Sequence, residues 1–310
     1  MRRHAWLIPA IGLLLSACRR RESVPPAPSP ILPFDGAAAF DEVRRFVAIR
    51  PRDAATPGAE RAALYLRDRL RELGVEAEVD AFADLCPVGT ATFRNVIGRI
   101  PGQGKGLVIL GSHYDTQAGI GAEFEGANDG GSSTGVLLEL ARCLAAGPAR
   151  SWETWLVFFD GEEAMRRYGP ADGLHGSRHM ARQLAESGRA ADVKAVIVLD
   201  MIGDRDLTVT VPRNGASWLI SEVFESARLE GARDKFSLYP YEIGDDHDPF
   251  HQAGLPAVDL IDFHFGSGPG RNDYWHTMED RMDKIAPESL DLVGRVALRL
   301  LARMADRVEP

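Results

Sequence analysis

Cysteine is scarce in this chain, three residues in 310, so any metal chemistry falls to histidine and carboxylate, and nothing hints at an iron–sulfur or blue-copper site. Positive charge is also short: 36 Lys and Arg face 45 Asp and Glu, a formal net charge of −9. Such an acidic chain is a poor match for a phosphate backbone, which sets nucleic acid aside as a partner. Long apolar runs are missing too. The one near the N-terminus, residues 5–15, is too short to span a bilayer as a mature helix. Repeats and disorder are not indicated, and 45% apolar with 26% charged residues is an ordinary globular composition, enough for one large α/β domain with a full core.

What is present at the N-terminus reads as an export signal. Arg2 and Arg3 precede the apolar run, which ends in Leu15-Ser16-Ala17-Cys18, and small residues before a Cys resemble a bacterial lipobox. Residues 1–17 are therefore expected to be a signal peptide, with Cys18 the lipidated first residue of a protein held at the bacterial cell envelope, facing the periplasm or exterior. The alternative is an ordinary cleaved signal with an incidental Cys. Cleavage before Cys18 removes two Arg and no acid, moving the charge from −9 to −11. Residues 18–33, rich in Arg, Pro and Ser, read as a flexible tether, so the membrane is touched only through the anchor. The catalytic domain is expected over 34–310. Cys86 and Cys143 either pair in this oxidising compartment or remain buried thiols.

Beyond the tether, helical and strand patterns alternate. Phe40, Val43, Phe46 and Val47 repeat at helical spacing, and Thr56-Pro57 with Glu60 opens a second helix that Gly74 closes. Residues 75–82 and 91–100 read as strands, and residues 107–110 form a short, fully apolar run like a buried central strand. Residues 155–159, 195–199 and 257–261 are further largely apolar runs, mostly β-branched or aromatic. Polar segments follow these runs, and in an open α/β sheet ligands bind beyond the carboxyl ends of strands, so the segments converge on one rim.

Those segments carry the chemistry. His113 and Asp115 are two apart and share a face of extended chain, so Asp115 can fix the imidazole tautomer or bind metal itself. Asp129, among small residues just before an apolar helix, is either a turn or cap residue or a carboxylate reaching one or two ions. Glu162 and Glu163 leave a buried strand with side chains pointing differently. That suits Glu163 as a metal ligand and Glu162 as a general base. Asp200 ends an apolar strand, where an unpartnered acid is costly. His276 follows Trp275, a candidate pocket wall. In Asp245-Asp246-His247, Asp246 can cap a short helix while Asp245 and His247 face the site. Imidazole and carboxylate in this number suit one or two zinc ions.

Together these motifs resemble the zinc aminopeptidases and the glutaminyl-peptide cyclotransferases that share their fold, from about Arg94 to the C-terminus. The resemblance implies an α/β fold: a three-layer αβα sandwich with a central, mostly parallel mixed sheet. Matched to the two-zinc aminopeptidases, His113, Asp129, Glu163, Asp200 and His276 are the metal ligands, with Asp129 bridging, Glu162 the base and Asp115 the acid orienting the His. Matched to the cyclotransferases, Asp129, Glu163 and His276 hold a single zinc, and Glu162, Asp200 and Asp245 form an acidic network that handles the proton. The doubled Asp before His247 and the Trp before His276 favour the cyclotransferases. Departures are Tyr168 where animal cyclases have a pocket Trp, Gly244 where they have a Gln, and Ser112 and Thr134 in place of a bridged Cys pair.

The leading expectation is therefore a zinc enzyme acting on the free N-terminus of peptides or proteins and cyclising N-terminal Gln to pyroglutamate with loss of ammonia. Trp275, Tyr168 and His247 are its expected pocket residues. The alternative is a zinc aminopeptidase that uses Glu162 to activate water. More remote is a non-catalytic binding domain on the same fold.

Overall fold

A computed structural model describes residues 32–308; the expected signal peptide, the lipobox Cys18 and most of the tether lie outside the described residues. The chain runs through α1 (Gly36–Phe46), α2 (Pro57–Glu72), β1 (Glu76–Cys86), β2 (Gly89–Ile100), β3 (Gly106–His113), α3 (Gly131–Ala146), β4 (Trp152–Phe159) and α4 (His175–Glu186). It continues through β5 (Val193–Asp200), β6 (Val209–Pro212), α5 (Ser217–Leu229), β7 (Phe236–Tyr239), α6 (Asp248–Gln252), β8 (Ala257–Ile261) and α7 (Pro287–Val308).

The strands form one sheet in the order β1-β2-β4-β3-β5-β8-β6-β7. Its centre, β4-β3-β5-β8, is parallel, while β1, β2 and the β6–β8 contact are antiparallel. Every residue of β3 is buried, as a strand covered on both faces must be. Its side chains alternate between two cores. Val108 and Leu110 join α1, α2, α3, α5 and α7 on one face, and Leu107 and Ile109 join Met180, Leu184 and Phe250 from α4 and α6 on the other. The result is the expected three-layer sandwich.

Local chemistry explains the helix ends that matter. Thr56 caps α2 by accepting from the N–H groups of Gly58 and Ala59, Pro57 occupies the first turn, and Gly74 turns away at φ +80°. Helix α3, in contrast, starts from Gly130 at φ +73° with no side-chain cap, so Asp129 is not used up as a cap. A Cβ at Gly130 would meet the His113 ring at 2.9 Å and the Asp115 carbonyl at 3.1 Å. Only glycine lets the backbone pass this close behind His113 in that conformation.

Cys86 and Cys143 are both free and buried, so of the two alternatives the thiols are realised. Burial and then Glu139 push the Cys143 thiol up to about 12, which keeps it protonated and unreactive. The short helix α6 begins after His247 with no side-chain capping bond; Asp246 does not serve as its cap. No helix among the described residues is long and apolar enough to cross a membrane.

Candidate active site

Sheet order explains why the site forms where it does. Strand β3 lies between β4 and β5, so connections leaving β3 and β5 pass to different sides and open a crevice at the carboxyl edge. His113 ends β3 and Asp200 ends β5. Glu162 and Glu163 follow β4, Asp129 lies on the β3–α3 connection, and His276 is on the loop after β8. A cleft of about 280 Å³ collects Asp129, Glu162, Glu163, Asp200, Asp245, Tyr168, Trp275 and His276 along its wall.

Two triads share one carboxylate. His113 Nε2 lies 3.1 Å from both Asp129 Oδ1 and Asp200 Oδ1, while His276 Nε2 lies 3.0 Å from Glu163 Oε1 and 3.4 Å from Asp129 Oδ2. Within each triad the donor atoms fall inside 4.8 Å of one another. Asp129 is held at this junction by its backbone: its N–H and that of Asn128 donate to the two oxygens of Asp280, at 3.1 and 2.7 Å.

Asp115 positions the glutamates. Its carboxylate accepts the N–H groups of Glu162 and Glu163, one on each oxygen at 3.2 Å, and lies 3.6 Å from His113 Nδ1, beyond hydrogen-bond length. The side chains then part. Glu163 Oε1 turns to His276, while the Tyr168 hydroxyl lies 3.1–3.2 Å from both Glu162 oxygens and 3.2 Å from Glu163 Oε2, a single donor shared by the two glutamates. Burial, reinforced by Glu162 and Glu163, raises the Tyr168 phenol well above its usual range, so it stays a donor. Removing that donor in Tyr168→Phe is expected to lower kcat about tenfold, the scale of one hydrogen bond to a charged group. Steady-state kinetics on the purified variant would check this, and an unchanged kcat would take Tyr168 out of the mechanism.

Electrostatics show what the cradle wants. Burial raises the Glu162 carboxyl well above its ordinary range, with Glu163 adding to it, and burial with Asp129 puts Glu163 at about 8. Asp245 is raised by burial, Asp200 and Asp246. Burial alone would lower both imidazoles, yet Asp200, Asp115 and Asp129 raise His113, and Asp129 and Glu163 bring His276 to about 10. Carboxylates thus outnumber the cations available to them, and the surplus is relieved by binding positive charge. Asp129 Oδ2 and His113 Nδ1 are buried without a hydrogen-bond partner. Buried imidazole and carboxylate donors in triads suit zinc, so the residues fit that ion.

Strain collects at the same place. His276 at φ +55° and Met201, directly after Asp200, at φ +48° are non-glycine residues in the left-handed region, a cost of about 1–2 kcal/mol each that packing around a site can hold.

His247, expected in the pocket, is instead fully buried and does not line the cleft. Because α6 starts immediately after it, its ring points into the sheet, 3.9 Å from Asp259; burial, then His251, lower it to about 3. Asp259, a lone acid within buried β8, lies outside the strand-end pattern that marks the other site residues; its signal in the sequence is an acid inside an apolar strand. Asp280 and the cleft-lining Tyr239, Tyr241 and Phe263 carry no such local signal. Ser112 Oγ lies 2.7 Å from Ser133 Oγ, and the Thr134 hydroxyl reaches the His113 carbonyl at 3.4 Å. Hydroxyls tie β3 to α3 behind the site.

Comparison with known proteins agrees with this arrangement. Residues 95–301 match the model of peptidase family M28. A glutaminyl-peptide cyclotransferase-like protein of Bos taurus is 32% identical, over 81% of this chain and 71% of its own length. The crystal structure of a glutaminyl cyclase from an Acidobacteriales bacterium superposes with a TM-score of 0.84 at 34% identity, covering 92% of this chain and 99% of that one. A leucine aminopeptidase precursor from Bacteroides thetaiotaomicron reaches a TM-score of 0.76 at 25% identity, over 88% and 98%.

Proposed function

Since the chain belongs to peptidase family M28, we propose that it is a glutaminyl-peptide cyclotransferase, an acyltransferase that converts N-terminal Gln of peptides to pyroglutamate and releases ammonia. The observation that carries this reading is the cleft wall: Trp275 stacks on the candidate ligand His276 at 3.9 Å, and Asp245, from the doubled acid, joins Glu162 and Asp200 at the floor. The similarity to glutaminyl cyclases supports it.

Asp129, Glu163 and His276 would hold one zinc ion, which supplies a Lewis acid for the side-chain amide carbonyl of the substrate. The free α-amine attacks that carbonyl carbon within the same residue, closing a five-membered ring, so the protein's task is orientation. Glu162 accepts a proton from the amine and returns it to the departing ammonia. Asp200 lies close enough to Asp245 to add to the proton affinity that burial raises there, and the pair steadies the proton during transfer. Trp275 and Tyr168 wall the pocket against hydrolytic water.

Incubation with a Gln-initiated peptide separates this reaction from peptide-bond hydrolysis. Ammonia released with no free amino acid is the expected result; free Gln would overturn it. The second triad, His113, Asp129 and Asp200, is what an aminopeptidase would use for a second ion, and it keeps hydrolysis as the alternative.

Export and lipid anchoring at Cys18 belong to the same proposal, supported by Arg2, Arg3 and the Leu15-Ser16-Ala17-Cys18 run. Cys18→Ser is expected to move the protein from the detergent phase to the aqueous phase in a phase-partition assay, and equal partitioning of the two forms would argue against the anchor.

A further inference from the structure

Between Glu163 and α4 the chain leaves the core and returns, with Tyr168 on its outer stretch. Ala164 is buried and Met165 half-buried, but Arg166, Arg167 and Tyr168 are exposed, so core packing does not fix this stretch. Yet the Tyr168 hydroxyl lies within 3.1–3.2 Å of Glu162 and Glu163. A side chain keeps such a place only where its backbone is held, because an exposed segment with unpaired N–H groups has many conformations open to it.

One carboxylate holds that backbone. Asp172, 6% exposed, accepts the Met165 N–H on Oδ1 at 2.7 Å and the Arg166 and Arg167 N–H groups on Oδ2, both at 2.9 Å. Three consecutive N–H groups, ending one residue before Tyr168, thus converge on a single side chain. A carboxylate meets three donors with acceptors alone, whereas an amide of the same shape must turn an NH2 group toward one of them. The turn closes behind it: Gly169 and Asp172 exchange backbone bonds at 2.9 and 3.2 Å, and a Cβ at Gly173, φ +78°, would lie 2.6 Å from the Tyr168 ring. Asp172 itself does not line the cleft, so it can act on the reaction only through what it holds.

We infer that Asp172 is a positioning residue: by gathering the N–H groups of residues 165–167 it fixes the Tyr168 hydroxyl on Glu162 and Glu163, and it acts through that hydroxyl alone. This rests on the proposed function only in taking Glu162 as the base, a role that cyclisation and peptide-bond hydrolysis share.

A double-mutant cycle of Asp172→Asn, nearly isosteric, with Tyr168→Phe tests it. On a Gln-initiated peptide, Asp172→Asn is expected to lower kcat about tenfold, the same loss as removing the Tyr168 donor, with zinc per chain unchanged. In the Tyr168→Phe background the same substitution should cost less than about twofold, because the hydroxyl it places is already gone. Damage spreading to Glu162, Glu163 or the fold would instead cost the same factor in both backgrounds. Equal losses in the two backgrounds, or wild-type kcat in Asp172→Asn, would overturn the assignment. Hydrogen exchange on the wild-type protein needs no variant: the Arg166 and Arg167 amides are expected to exchange at least about tenfold more slowly than in an unstructured chain, despite their exposed side chains. Exchange at the unprotected rate would overturn the grip by Asp172. The cycle is read on whichever product forms, so release of free Gln would sink the cyclase reading and still score Asp172.

Discussion

Glu162→Gln is expected to lower kcat by at least about two decades, the range of a positioned general base, with zinc content unchanged. The substitution keeps the shape of the side chain and an oxygen that accepts from Tyr168, and takes away its ability to accept a proton. It also removes a buried carboxylate beside Glu163, which raises the proton affinity of Glu162. Stability should therefore hold or rise while catalysis collapses, a combination that a merely structural role would not produce. Metal analysis, a thermal melt and steady-state rates on one preparation would show it. Retention of wild-type kcat would remove Glu162 as the base; loss of zinc would mean that it is a ligand.

Sequence and structure meet most closely where strands end. Strands β3, β4, β5 and β8 are legible because a strand covered by helices on both faces is apolar over most of its buried length, Asp259 in β8 being an exception, and a polar residue at its end then stands out. That is how His113, Glu162, Glu163 and Asp200 are found. Helix α2 is legible through Thr56, Pro57 and Gly74, whose roles are local. Less visible are β6 and β7, four residues each, too short for alternation to register, and α5, which starts without a side-chain cap. His247 shows the limit of reading side-chain direction from a motif. Its neighbour Asp245 faces the cleft, but the turn into α6 takes the next-but-one side chain into the sheet. Asp280 supports Asp129 from 151 positions away, a pairing created by the fold alone.

Replacing the two histidines separately should then distinguish the two triads. His276→Ala removes the only imidazole of the Asp129–Glu163–His276 group and is expected to cost more than about 100-fold in zinc affinity, beyond what a lost outer partner costs, with activity falling to background. His113→Ala is expected to keep the zinc. In the cyclase reading His113 holds no ion: burial would lower its ring, but Asp200, Asp115 and Asp129 raise it, so a protonated imidazole supplies the positive charge that a second zinc would otherwise bring. The His113→Ala enzyme should therefore be slowed, because Asp129 and Asp200 lose a counter-charge, yet remain loaded. Zinc measured per chain in the wild type and both variants gives the answer. Two ions in the wild type, one of them lost in His113→Ala, would restore the aminopeptidase arrangement and displace the single-zinc assignment.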